Sequence, residues 1–162
     1  MRSIGKSLLF ALCAGLTACG AAPATENTDA GLLYSCATET RAKPYVPGLE
    51  VDSVSGAFKA ALVSSVPGPP IKGSNAWTVT ITDAAGAPQD DLTVTASPYM
   101  PDHRHPTTVR AVVTPAHDGT GTYTVDPVYL YMPGYWEVTL TLQPASTTAP
   151  KDTVVFPICI AG

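Results

Sequence analysis

The sequence is poor in charge, in histidine and in anything that reads as a long helix. Charged residues are only 14% of the 162 positions, and the nine basic ones are outnumbered by thirteen acids. That balance excludes the positive footprint that nucleic acid demands. It also excludes a polybasic grip on anionic lipid. Sixteen prolines and thirteen glycines leave no room for a long helix. There is no Gly-x-Ser-x-Gly elbow, no phosphate-cradling glycine loop and no His-Glu-x-x-His. No nucleophile has a base beside it. The acids are scattered, and the one adjacent pair, Asp90-Asp91, reads as solvated turn residues. An enzyme is therefore not expected. No internal repeat is visible.

The apolar run near the start is short. Arg2 and Lys6 precede it, and it spans residues 8–16. This is the charged, apolar, small pattern of a secretory signal, too short for a membrane-spanning helix. Its end, Leu16-Thr17-Ala18-Cys19, resembles the lipobox of bacterial lipoproteins. That resemblance implies cleavage after residue 18 and lipid on the sulfur and new amino end of Cys19. More than one acyl chain gives stable anchoring, which a single chain does not. The position after the lipid cysteine is Gly20, not the aspartate that retains many lipoproteins at the inner membrane. The outer membrane is favoured by the same resemblance, if the source has two membranes. The other reading is an ordinary cleaved signal in which Cys19 is incidental.

Removing residues 1–18 takes Arg2 and Lys6 and no acid, so seven basic residues face thirteen acidic ones and the net charge is −6. It also discards Cys13. With Cys19 as anchor, Cys36 and Cys159 remain, in a compartment where disulfides persist. Two cysteines allow one pairing, Cys36 to Cys159, closing a loop of over a hundred residues. The alternative is a metal-binding pair, although neither cysteine has a histidine or second cysteine near it in sequence.

Residues 19–31 comprise the lipidated cysteine and a flexible tether with no large apolar side chain. One domain, residues 32–162, follows. It reads as all β. Phe58, Ala60 and Leu62, then Trp77, Val79 and Ile81, then Leu92, Val94 and Ala96, then Trp136, Val138, Leu140 and Leu142 recur at period two. Shorter strands are expected at 109–113, 123–131 and 153–160. Proline- and glycine-rich turns separate these runs. About seven short strands, each with one apolar face, predict an immunoglobulin-like two-sheet antiparallel sandwich, with a closed barrel as the other solution. Trp77 and Trp136 are expected in its core.

One cluster carries chemistry: residues 97–106, Ser-Pro-Tyr-Met-Pro-Asp-His-Arg-His-Pro. It holds two of the three histidines. In an extended segment His103 and His105 face the same side, with Cα atoms about 6.6 Å apart. Met100 adds a soft sulfur, and imidazole with thioether suits copper, Cu(I) above all. Met132 is a second methionine, at a strand end that the sequence does not place beside the first. His117 reads as a turn residue. The plain alternative is that the histidines are solvated and that Met100 and Met132 plug the sandwich.

The stretch from Met100-Pro101-Asp102-His103-Arg104-His105, through Gly119-Thr120-Gly121-Thr122-Tyr123, to Met132-Pro133-Gly134-Tyr135-Trp136 resembles the YtkA-like domain over about residues 55–145, with a similar layout in FixH-like proteins. The resemblance implies an extracytoplasmic β-sandwich, often lipid-anchored, that binds copper or helps deliver it to a cuproprotein such as a respiratory oxidase. It implies Met100, His103 and His105 as ligands, with Met132 a fourth. Departures are the single methionine in the first motif and the positive Arg104 between the histidines. Two expectations follow: a membrane-anchored copper-binding lipoprotein on the periplasmic or surface face, or a metal-free immunoglobulin-like module that contacts another envelope protein.

Overall fold

Period-two alternation becomes strands wherever one side of the run is apolar. The computed structural model describes residues 34–146 and 149–162. The signal, Cys19 and the tether through residue 31 lie outside the described residues. The strands are β1 (Leu49–Asp52), β2 (Phe58–Val66), β3 (Gly73–Asp83), β4 (Thr93–Met100), β5 (His105–Pro106), β6 (Val112–Pro115), β7 (Thr122–Leu130), β8 (Gly134–Gln143) and β9 (Asp152–Ile160). They form two sheets, β1-β2-β3-β7-β6 and β5-β4-β8-β9, every pairing antiparallel. This is the two-sheet antiparallel sandwich that the alternation predicts.

Nine strands are found among the described residues, where about seven were expected. The two additions are short. β1 has four residues, and β5 has two that pair only with Tyr99 and Met100. The strand expected at 109–113 starts later, at Val112. The reason is topological. β5 belongs to one sheet and β6 to the other, so residues 107–111 must cross the gap between layers before pairing resumes.

The core is what the apolar faces supply. Ala60, Leu62, Trp77, Val79 and Ile81 of one sheet meet Trp136, Val138, Leu140, Val154 and Phe156 of the other, all buried. Trp77 and Phe156 meet edge to face, centroids 5.9 Å apart at 82°. That geometry between the two layers adds about 0.5–1.5 kcal/mol beyond the buried area.

Two devices close the sandwich. At one edge Asp152 is buried beneath the β1–β2 turn and accepts from the Ser55 amide at 3.2 Å, the Ser55 hydroxyl at 2.5 Å and the Thr153 amide at 2.8 Å. Burial pushes this carboxyl up, but hydrogen bonds from Ser53, Ser55 and the backbone outweigh it, and the net shift is downward. A depressed carboxyl contributes stability that is complete above its unfolded value and is lost as pH falls through the folded one. Asp152→Ala is therefore expected to cost about 1–3 kcal/mol at neutral pH. The loss should shrink below pH 3.8, the ordinary aspartate value, and urea titrations at pH 7 and pH 3 check both parts.

The second device is a strap, residues 34–45, that contains a single 3₁₀ turn, Cys36–Thr38. Cys36 is joined to Cys159 on β9 with Cα atoms 5.7 Å apart, the pairing that the cysteine count predicts. Gly162 donates to the Tyr34 carbonyl, and Lys43 donates to the Pro157 carbonyl. The Tyr45 hydroxyl accepts from the Ser65 amide on β2 at 3.1 Å. The strap thus ties β9 of one sheet to β2 of the other.

Candidate functional site

The β4–β5 hairpin carries the histidines. Met100 and His105 are register partners, so their side chains share one face. The chain reverses through residues 101–104. The Met100 carbonyl accepts from Arg104 at 2.8 Å and His103 at 3.2 Å. Arg104 has φ 57°, the left-handed conformation that closes the turn. His103 therefore sits on a turn, not in an extended segment, which corrects the reason for expecting it beside His105. The two rings are neighbours all the same. The two rings have centroids 5.6 Å apart at 40°. Two imidazoles bound to one ion through bonds of about 2.0 Å at a wide angle have centroids about 5–6 Å apart, so this separation fits a shared ion.

His105 continues into an aromatic ladder. Tyr131, just past β7, stacks on it with centroids 5.4 Å apart at 30°. The Tyr131 hydroxyl lies 2.6 Å from His105 Nδ1 and 2.9 Å from Nε2. Tyr131 in turn meets Trp136 edge to face at 5.4 Å. Trp136, fully buried, donates from Nε1 to the Met132 carbonyl at 3.0 Å and fastens the turn between β7 and β8.

Both methionines pack. Met100 is 2% exposed and belongs to the core. Its methyl fills the space that Gly134 leaves: a Cβ there would overlap Met100 Cε. Met132 is half-buried against the core. Among the described residues no group of three or more His, Cys, Asp or Glu is placed to hold a metal ion.

Beside His103, Asp102 is gripped by Arg41 of the strap through two bonds, 2.6 and 2.8 Å. Arg41 also binds both oxygens of Glu39, at 2.9 and 2.7 Å, and its guanidinium lies 4.3 Å over the Tyr135 ring. Its hydrogen bonds hold the Glu39 carboxyl at about 2 and the Asp102 carboxyl below its usual range. Burial, with the Glu137 carboxylate beside it, pushes Tyr135 up to about 12.

The family model described as YtkA-like matches residues 52–141, more than half of the chain. This chain belongs to the YtkA-like family. No curated protein and no solved structure matches it. The YtkA-like match contains Met100, His103, His105, Tyr131 and Met132. It leaves out the strap, Arg41, both cysteines of the disulfide and β9.

The structure explains most of the YtkA-like motif as packing. Gly134 makes room for Met100. Gly121, with φ 68°, lets its carbonyl accept from Ile81 at 2.8 Å; any Cβ there would overlap the Ile81 carbonyl. The Tyr123 hydroxyl donates to the Gln89 carbonyl at 2.7 Å and accepts from the Leu92 amide at 3.2 Å. Asp90 accepts from the amides of Gly119 and Gly121, so it anchors this loop and is not merely a solvated turn residue. His117 precedes β7 and Tyr131 follows it, so nine residues of strand, about 30 Å, separate His117 from the other histidines.

Sequence reasoning missed Tyr131, Asp102 and Arg41. Tyr131 lies in the stretch that was singled out, but a tyrosine at a strand end reads as packing. Arg41 is 61 residues from Asp102, with no local signal to link them.

Proposed function

We propose that this YtkA-like chain is an extracytoplasmic, lipid-anchored copper-binding protein that hands the ion to a cuproprotein. His103 and His105 hold the ion, and Met100 and Met132 supply thioether sulfur. The protein is not an enzyme in this reading. The observation that carries it is the 5.6 Å pairing of His103 and His105 at an accessible turn, backed by a buried methionine on the face that His105 shares. Exposure of His103 suits a site that must release its ion to a partner. The test is competition of the full chain against a chromophoric chelator. Cu(I) should bind more tightly than Zn(II). Met100→Leu, which keeps the core filled, should weaken Cu(I) more than Cu(II). Binding should fade in acid, because imidazole must be deprotonated to ligate. Equal affinity for Zn(II) and Cu(I), or no pH dependence, contradicts the ligand set. The anchor is tested separately: Cys19→Ser should move the protein from membranes to the soluble fraction.

A second reading has its own support. The Tyr131 hydroxyl already engages His105, Met100 packs in the core and Met132 packs against it. Those facts suit a metal-free envelope module whose motif keeps the fold alone. Such a module would leave the chelator's copper untouched at every pH.

A further inference from the structure

The loop between β2 and β3, residues 66–71, reads Val-Pro-Gly-Pro-Pro-Ile. It holds no charge, and its apolar side chains face outward: Val66 is 68% exposed and Ile71 47%. Pro67 and Pro69 are exposed beside them. The loop is nevertheless fixed. Asn75, buried, accepts from the Ile71 amide at 2.9 Å and donates to the carbonyls of Ile71, Gly73 and Val128 at 2.9, 3.1 and 3.2 Å. A fixed loop loses little entropy when it meets a partner. Its backbone also suits a medium without water. Three prolines remove three amide donors, and Asn75 takes that of Ile71.

The loop lies at the end of the sandwich where the described chain begins. Gly73 pairs with Leu130, so the loop stands level with the end of β7. Three residues link Leu130 to Gly134, which pairs with Ile160 at the end of β9. Gly162, two residues on, donates to the Tyr34 carbonyl at 3.1 Å. Pro69 lines a cleft with Cys36 and Tyr45 of the strap. Cys19 precedes Tyr34 by fifteen positions, outside the described residues. As the tether read from the sequence, that length of chain averages about 20 Å. The nine residues of β7 alone run about 30 Å. A lipid on Cys19 would therefore keep this end nearer the bilayer than the other. Charge acts in the same direction. Asp83, Asp90, Asp91 and Asp118 crowd the far end, while Lys72 follows the loop and Lys43 and Arg104 stand at its end of the sandwich. Of the acids at this end, Glu39 and Asp102 are paired with Arg41, and Glu137 accepts from Tyr135. Anionic headgroups repel the far end and tolerate this one.

We infer that residues 66–71 are a membrane-contact tip that seats on the bilayer surface and orients the anchored domain. The inference rests on the lipid-anchor reading of Cys19. The contact is apolar rather than polybasic, and the tether supplies the local concentration that a small loop lacks alone. The same end carries His103 and His105, so the seated domain holds that hairpin beside the bilayer.

The experiment places tryptophan reporters in the intact lipidated protein, purified from bacterial membranes. The vesicles are phosphatidylethanolamine and phosphatidylglycerol with brominated acyl chains. Ile71→Trp reports the loop, and Ala85→Trp, in the exposed turn after β3, reports the far end. Trp77 and Trp136 are buried, and wild type gives their background. Circular dichroism confirms that each variant is folded. Bromine should quench Ile71→Trp about threefold more than Ala85→Trp. Adding Val66→Asp to Ile71→Trp should abolish that difference, because a charge in the loop resists leaving water. Flotation with the vesicles reports the anchor separately. If the proteins float but both reporters are quenched equally, the inference fails and the anchor stands. Floating proteins with neither reporter quenched also overturn it and leave the loop to a protein partner. Quenching that survives Val66→Asp belongs to the added tryptophan and overturns it too. A chain that does not float, with no lipid mass on Cys19, overturns the anchor and this inference together.

Discussion

Replacing Cys36 and Cys159 by serine should lower stability by about 2–5 kcal/mol, the largest effect expected of any change outside the core. The bond closes a loop across a separation of 123 residues. Freeing that loop in the unfolded chain favours unfolding by about 5 kcal/mol on the entropic account, before any strain in the native form is subtracted. The loss should appear as a lower urea midpoint. It should also be local: amide protection along residues 34–45 should fall, because few backbone bonds tie the strap down once the bridge is gone. A midpoint within error of wild type would mean that the contacts of Lys43, Tyr45 and Gly162 hold the strap alone.

Trp136→Ala should cost about 3–5 kcal/mol, as truncating a large buried aromatic does. Its second consequence is specific to this fold. Trp136 fastens the Met132 carbonyl and buttresses the Tyr131 ring, and Tyr131 holds His105. Where the variant remains folded, the His105 ring resonances should broaden or shift while those of His117, at the other end of β7, stay put. Trp136→Phe keeps a ring in the core and loses the indole bond, so it should cost only about 1 kcal/mol and disturb His105 less. Histidine spectra of the two variants separate the ring's packing from its hydrogen bond.

The core strands were legible because their pattern is local. Trp77, Val79 and Ile81 against threonines state both the strand and its buried face. Strand β5 was not legible: two residues, one of them proline, carry no period. The start of β6 was misplaced because Thr107 to Ala111 is β-prone in composition yet bends at residues 108–109 and spends its length crossing between sheets. The disulfide was legible by elimination, since only two cysteines remain after Cys13 and Cys19 are assigned. The histidine pair was found for a reason that proved wrong. His103 stands on a turn with Arg104 left-handed, and no residue type at that position announces it. Arg104, read from the sequence only as an opposing charge, is also the residue that closes the turn. The strap's grip on Asp102 depends on chain closure through Cys159, 118 positions beyond Arg41, and no local pattern encodes such a distance.

Geometry also divides the YtkA-like motif into two jobs. Gly121 and Tyr123 build one end of the sandwich and Gly134 and Trp136 the other, each through a named contact. His103 and His105 are not needed for that: one is exposed on a turn and the other is half-buried at an edge pairing of two residues. Residues that the fold can spare, paired at a separation that fits an ion, are where the copper account stands or falls.

Native mass spectrometry of the full chain, loaded with ascorbate-held Cu(I), tests that account most directly. Wild type should carry one copper ion per chain. His103→Ala/His105→Ala should carry none and should unfold at the same urea concentration as wild type, because the core is built from Trp77, Val79, Ile81, Trp136, Val138 and Leu140. No copper on wild type, or equal copper on the double variant, would contradict the account and leave the metal-free envelope module in its place.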